Sequence, residues 1–197
     1  SQPAILVGIQ TVDRQRELLP PTSIAGEKAE YPTAGESEAF RKWLADTVLP
    51  LLRERYRNDG TIILLGESAA GHFVVETWLE RPDLFSGYAA ISPSLQWDGQ
   101  SLALTASAPV AGRPPLYLSL ADEGGETEQG MLALLGKIGE GQAYCFSDRR
   151  ADLHHSNSLH ALMPEALQYL LPTDADWLEE YGLGLRCDRG GPALSAQ

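Results

Sequence analysis

The residues best suited to do chemistry surround Ser68, in the segment GESAAG at residues 66–71. The apolar run at 61–65 predicts a buried strand before Ser68, and the residues after it have the periodicity of a helix. A serine on such a sharp strand-to-helix turn can act as a nucleophile if the residues two before and two after it are small. Gly66 and Ala70 meet this requirement, with alanine where glycine is usual. The pattern predicts a nucleophile elbow, although a serine that only caps the following helix would show the same letters.

A serine nucleophile needs a general base, and histidine is the usual one. His154 and His155 fall in the loop predicted after the last strand, which is where the base of this type of fold lies. His160, at the start of the last predicted helix, is the third candidate for the base. His72 lies four residues beyond Ser68 and points away from the base position, so we expect a packing or surface residue. The residues alone leave the choice between His154 and His155 open.

The base in turn needs a group that orients it, and two carboxylates follow the strand predicted at 116–120. Asp122 and Glu123 are both candidates for the acid, although acidic residues also occur in such loops because they are solvated. For the oxyanion, the backbone N–H of Ala69 lies at the positive end of the predicted helix. A second oxyanion donor is not evident from the sequence.

Strands and helices alternate along the chain. Strands are predicted at 4–7, 61–65, 87–91, 116–120 and 142–146, and helices at 36–56, after 68, at 126–138 and at 159–171. This order predicts an α/β fold with a mostly parallel sheet and helices on both faces. Right-handed crossovers bring the loops after residues 65, 120 and 146 to one edge of the sheet, so Ser68, the acid and the base would meet there.

We predict a single domain over residues 1–173, followed by a C-terminal extension over 174–197. Two long stretches, 11–35 and 95–115, are predicted as irregular segments that line the site. The helix at 36–56 should be kinked at Pro50, because proline lacks the backbone N–H that continues a helix.

Composition excludes several classes of function. The net charge of −12 over 197 residues argues against nucleic-acid binding, which needs clustered Lys and Arg. No apolar run approaches the roughly 20 residues that span a bilayer, so no membrane span is expected. A soluble protein is expected, and the sequence leaves open whether its compartment is the cytoplasm or the periplasm. Cys145 and Cys187 lack metal-binding spacing, and no metal is predicted. Cys145 is expected as a small core residue, with a disulfide to Cys187 left open.

Several segments together resemble the putative esterase family, which includes esterase D-like proteins and the siderophore esterases that open trilactone iron chelators. They are ILVGI at 5–9, DRQREL at 13–18, GESAAG at 66–71, PDLF at 82–85 and AISPSL at 90–95, with Trp97. The resemblance runs from about residue 4 to residue 171. It implies an α/β-hydrolase fold, no cofactor, and hydrolysis of a carboxylic ester.

Residue by residue, Ser68 matches the family's nucleophile, and Glu123 its acid in the corresponding loop. The family's histidine stands shortly before an Ala-Leu or Gly-Leu pair in the last helix, and Ala166-Leu167 favours His155 on that ground. Family members usually begin with further strands and a Leu-Asp-Gly turn that helps to form the oxyanion hole. This chain starts after that point, so either an N-terminal part precedes the given sequence or the protein is a shortened member whose sheet lacks the first strands.

The expected function is a serine hydrolase that cleaves a small-molecule carboxylic ester through an acyl-enzyme intermediate, with a siderophore-type or esterase D-like substrate. Two alternatives keep the same fold. One is a non-catalytic hydrolase-fold binding protein, and the other is an acyltransferase that uses an alcohol in place of water. The sequence does not indicate an oligomeric state.

Overall fold

The alternating apolar and amphipathic segments fold as a sheet flanked by helices. The structure is a computed structural model that describes residues 4–107, 112–139, 141–173, 180 and 184–191. Across these residues the sheet has five strands. They are β1 (Ile63–Ser68), β2 (Gly87–Pro93), β3 (Leu116–Leu120), β4 (Tyr144–Asp148) and β5 (Arg189–Gly190). The helices are α1 (Arg14–Leu18), α2 (Ala25–Glu30), α3 (Ser37–Trp43), α4 (Leu49–Arg55), α5 (Ala69–Glu80), α6 (Trp97–Thr105), α7 (Gly125–Leu135) and α8 (His155–Leu170).

The strands lie in the order β1-β2-β3-β4-β5, and the first four are parallel. β5 pairs antiparallel with β4. Helices α5 and α7 each follow a strand and lead to the next parallel one, so the carboxyl ends of β1, β3 and β4 lie at one edge of the sheet. The mostly parallel sheet is the one predicted from the alternation of elements.

The two faces of the sheet carry separate apolar clusters, because successive side chains of a strand point to opposite sides. Tyr88 of β2 and Leu118 of β3 pack on one side with α5 and α7. Ala89 and Tyr117, their neighbours in sequence, pack on the other side with α8. Every residue of β2 and β3 is buried, as expected for central strands covered on both faces.

β1 differs from the prediction of a fully buried strand, since most of its residues are only partly buried. Within the described part of the chain it has a strand neighbour on one side alone. The strand predicted at 4–7 does not form: these residues have no strand partner, and Leu6 is 89% exposed. Their apolar pattern had predicted burial, but strand formation also needs a partner for the backbone groups.

The structure differs from the prediction at the expected helix kink and in the two stretches predicted as irregular. The kink expected at Pro50 is a π-helical turn at Leu44–Val48, directly before α4. It fits the missing N–H of proline, which leaves a carbonyl of the preceding turn without its usual donor. The stretch 95–115 is not irregular throughout, because it contains α6, and the stretch 11–35 contains α1 and α2.

The described part of the C-terminal extension is attached to the sheet. β5 pairs with β4, and a disulfide joins Cys145 of β4 to Cys187. Cys145 is also fully buried, so it is both a core residue and half of a disulfide. The predicted division of the chain at residue 173 stays a prediction, and residues 174–179, 181–183 and 192–197 of the extension lie outside the described residues. None of the described helices is long and apolar enough to cross a bilayer.

One buried histidine makes the fold sensitive to acid. His72 of α5 is completely buried, and neither of its ring nitrogens has a hydrogen-bond partner. Burial disfavours the charged imidazolium and lowers the pKa of His72 from 6.5 to about 4. Below pH 6.5 the unfolded chain therefore takes up a proton that the folded chain refuses until about pH 4, so stability falls as the pH drops through this range.

Replacing His72 with leucine should remove this acid sensitivity. By linkage, wild type should lose about 2 kcal/mol more unfolding free energy between pH 7.5 and pH 5 than His72→Leu does. Urea unfolding at the two pH values measures the difference, and the exposed His160→Ala serves as control. Equal pH dependence in wild type and His72→Leu would contradict the assigned burial of a neutral ring.

Candidate active site

Ser68 lies at a strained turn between β1 and α5. Its backbone has φ 60° and ψ −124°, a conformation that costs energy in any residue with a Cβ atom. Strand and helix also approach closely: a Cβ atom at Gly66 would lie 2.5 Å from the Ala70 carbonyl oxygen and 2.9 Å from the Ala70 Cβ. Glycine at position 66 is therefore required by packing, and the sharp strand-to-helix turn predicted at Ser68 is present.

A pocket of about 210 Å³ opens at the carboxyl edge of the sheet. Its wall consists of polar side chains from four stretches of the chain, namely Ser68, Ser92, Ser94, Gln96, Glu123, Thr127 and His155. The structure thus brings the predicted nucleophile, one of the two candidate acids and one of the two candidate bases around a single space.

His155 and Glu123 form a short contact within this wall. The His155 Nδ1 lies 2.8 Å from Glu123 Oε1. The Glu123 side chain is mostly buried at 11% exposure, whereas that of His155 is 46% exposed. A carboxylate at Nδ1 favours the tautomer that carries its proton there, which leaves Nε2 as the ring's free acceptor.

His154 and Asp122 pair with each other instead. His154 Nδ1 lies 3.9 Å from Asp122 Oδ2, both side chains are well exposed, and neither lines the pocket. A parallel backbone bridge joins Asp122 to His154. Because side chains alternate along extended backbone, the side chains of the next residues, Glu123 and His155, point to the side opposite those of Asp122 and His154. The same bridge therefore places Glu123 and His155 together in the pocket wall.

The Ser68 hydroxyl lies 3.4 Å from the Ser94 hydroxyl, and among the described residues no hydrogen bond joins it to His155. His155 Nε2 lies instead 3.5 Å from Glu67 Oε1. Hydrogen bonds between catalytic groups are commonly long in an empty site and tighten with substrate. Ser68 and His155 therefore share the pocket, but the Ser68 hydroxyl is not hydrogen-bonded to the His155 ring in the described structure.

Sequence reasoning missed the residues at the carboxyl end of β2. Ser92 is buried with φ 40°, and its Oγ accepts a hydrogen bond of 2.8 Å from the Ala121 N–H, one residue before the acidic pair. Thr127 of α7 donates to Gln96 at 2.9 Å. The order of the elements could have indicated these residues. Because β2 lies between β1 and β3 and runs parallel to them, its carboxyl end reaches the sheet edge at which Ser68 and Glu123 lie.

Ala69, the predicted oxyanion donor, is the first residue of α5 and is buried. The N–H groups of a helix's first turn have no partner within the helix and point toward its positive end. Its role as a donor stays a prediction. Among the residues that the structure describes, no group of three or more His, Cys, Asp or Glu side chains could hold a metal ion.

A family model described as Putative esterase matches residues 1–140. The chain belongs to this family. The match covers β1, α5 and the loop with Glu123, and ends before His155. The assignment from motifs around Ser68 is thereby confirmed at the level of the family.

Similar proteins share this fold. The ferri-bacillibactin esterase BesA of Bacillus subtilis is 30% identical over 109 residues, which make up 49% of this chain and 38% of BesA. The siderophore hydrolase EstB from Aspergillus nidulans has a TM-score of 0.64 at 22% identity, covering 85% of this chain and 67% of EstB. The enterobactin hydrolase IroE in complex with DFP has a TM-score of 0.58 at 25% identity, covering 78% of this chain and 62% of IroE. The predicted α/β-hydrolase type of fold is confirmed, and the chain matches much less than the whole length of BesA.

The two His-carboxylate pairs provide a matched test of the site. We expect His155→Ala and Glu123→Gln to lower ester hydrolysis strongly, the first by about 10³-fold or more, because both act on the same proton transfer. His154→Ala and Asp122→Asn change an adjacent, exposed pair and should stay within about twofold of wild type. Steady-state kcat/KM on a short p-nitrophenyl ester measures all four variants. Exchanged phenotypes would move the base to His154.

Proposed function

We propose that the protein is a serine esterase that hydrolyses a carboxylic ester through an acyl-enzyme intermediate. The observation that carries the proposal is the shared pocket of Ser68 on its strained elbow and His155 bound to Glu123. A strained serine at the end of β1, a carboxylate in the loop after β3 and a histidine at the start of α8 share no packing role, whereas acyl transfer uses all three.

In the first half-reaction, Ser68 Oγ attacks the ester carbonyl carbon, and its proton passes to His155 Nε2. The ester C–O bond then breaks, and the leaving alkoxide takes the proton from Nε2, which gives an alcohol and acyl-Ser68. In the second half, water attacks the acyl carbon, again with its proton going to Nε2. The bond between the acyl carbon and Ser68 Oγ then breaks, the carboxylic acid leaves, and Oγ takes the proton back from Nε2.

Glu123 has two effects on these steps. It holds the proton on Nδ1, so that Nε2 can accept, and its negative charge stabilises the imidazolium that forms in each transition state. Its low exposure strengthens both effects, because charges interact more strongly away from water. The Ala69 N–H is the proposed donor to the tetrahedral oxyanion.

For the substrate, we propose a polar ester of the siderophore class. The similar proteins are named as ferri-bacillibactin esterase, siderophore hydrolase and enterobactin hydrolase. The pocket wall of hydroxyl, amide and carboxylate groups suits a substrate with many hydrogen-bonding groups better than a plain fatty-acid ester. An esterase D-like substrate is the alternative, and comparing hydrolysis of a trilactone siderophore with that of a small monoester distinguishes the two.

Ser68→Ala should abolish hydrolysis, with a loss of at least about 10³-fold in kcat and an unchanged fold by circular dichroism. A fluorophosphonate probe should label wild type stoichiometrically and leave Ser68→Ala unlabelled. An unlabelled wild type would favour a non-catalytic binding protein. Faster product formation with an added alcohol, with ester as the product, would favour an acyltransferase.

We also propose that the protein works in an oxidising compartment, the periplasm rather than the cytoplasm. The support is the Cys145–Cys187 disulfide, since such bonds persist in the periplasm and are reduced in most cytoplasms.

The compartment can be tested by counting thiols. Protein isolated from its own cells under acid quench, then denatured with iodoacetamide, should gain no label without reductant and two labels after reduction. A Cys187→Ser variant, which leaves one thiol unpaired, serves as the control for labelling efficiency. Two free thiols in the wild-type protein would place it in a reducing compartment.

A further inference from the structure

The proposed mechanism leaves one charged neighbour of the base unused. Glu67, the residue before Ser68, places its Oε1 atom 3.5 Å from His155 Nε2, the nitrogen that must receive the Ser68 proton. Its side chain is 19% exposed, so the carboxylate is largely withdrawn from water. The His155 ring thus lies between two carboxylates, with Glu123 at Nδ1 and Glu67 at Nε2.

This arrangement suits one protonation state of the ring. When His155 is neutral, the proton at Nδ1 faces Glu123, and the bare Nε2 lone pair faces the negative Glu67, which is repulsive. When the ring is protonated at both nitrogens, each N–H faces its own carboxylate. Two flanking carboxylates thus suit an imidazolium better than a neutral ring, and the Ser68 hydroxyl lies beside Ser94 rather than His155.

We propose that Glu67 is a positioning residue that holds protonated His155 away from Ser68 and releases the ring when it becomes neutral; this rests on the serine-esterase mechanism proposed above. Since the same carboxylate stabilises the inactive, protonated base, it raises the pH at which the enzyme becomes active. The identity of the residue before the nucleophile would thereby set the acid limit of activity.

The other charged groups near the ring are engaged elsewhere. The Arg14 guanidinium donates to the Glu67 backbone carbonyl at 3.2 Å, and Asp122 and His154 pair with each other on the exposed side. Before α8, Arg149 binds Asp152 and Glu165, while Arg150 binds Asp148 and Glu128. The α7 residue in the pocket wall, Thr127, is uncharged. Glu67 and Glu123 are the charged groups within salt-bridge distance of the ring itself in the described part of the chain.

The test is the pH profile of kcat/KM for Glu67→Gln, which keeps the shape of the side chain and removes its charge. Its acid limb should lie about 0.5 pH unit below that of wild type, which is about a threefold higher kcat/KM at a fixed pH on that limb. The difference should shrink in 0.5 M salt, because a partly exposed pair is screened. Glu126→Gln, in the exposed first turn of α7, is the matched control and should follow wild type.

The pH dependence of fluorophosphonate labelling gives a second measurement that does not depend on the ester chosen, and its acid limb should move by the same amount. If Glu67→Gln does not fold, Glu67→Ser removes the charge with a smaller side chain. Coincident acid limbs for wild type and the charge-removed variant, with Ser68→Ala inactive, would overturn the role of Glu67 and leave the esterase standing. A fully active Ser68→Ala would instead remove the esterase mechanism, and this role with it.

Discussion

Backbone hydrogen bonds between the loops after β3 and β4 determine the geometry of the site. The Asp122 N–H donates to the Leu153 carbonyl at 2.9 Å, and the Arg149 N–H donates to the Leu120 carbonyl at 2.8 Å. These bonds continue the parallel pairing of the two strands beyond their ends. Because the loops are held in register, the alternation of side chains directs Glu123 and His155 into the pocket and leaves Asp122 and His154 on the outside.

Buried polar contacts hold the second of these loops against α8. Glu165 of α8 accepts a hydrogen bond from the Tyr117 hydroxyl at 2.9 Å, and its other oxygen lies 3.4 Å from Arg149. Burial, with the Glu165 carboxylate next in effect, raises the pKa of Tyr117 well above its usual value, so its hydroxyl stays a donor. An unpaired carboxylate at this depth would be costly, so the two partners and the loop are stabilised together. The start of α8, and with it His155, is positioned by this cluster.

The turn that carries Ser68 is supported by ion pairs between α3 and α5. Arg41 of α3 is buried and pairs with Glu76 and Glu80 of α5, the helix that begins after Ser68. Burial raises the pKa of Glu76 to about 6, against the opposing effect of Arg41. These ion pairs fix α3 against α5, and the close packing at Gly66 fixes the first turn of α5 against β1, which suits a site that must be organised before substrate binds.

The sequence alone was enough for the fold class and for the sharp turn that carries Ser68, because both depend on local patterns. Apolar runs that alternate with helical periodicity predicted the parallel sheet, and small residues around Ser68 predicted the elbow that the Gly66–Ala70 contact explains. The same patterns wrongly predicted a strand at residues 4–7, because an apolar run does not show whether a partner strand is present. They could not separate His155 from His154 or Glu123 from Asp122, because each pair is adjacent in sequence and equally placed after its strand. Which member of each pair enters the pocket depends on the register between two loops about thirty residues apart, and the contact between Glu67 and His155 depends on how the end of β1 lies against the start of α8. Only the folded backbone sets both.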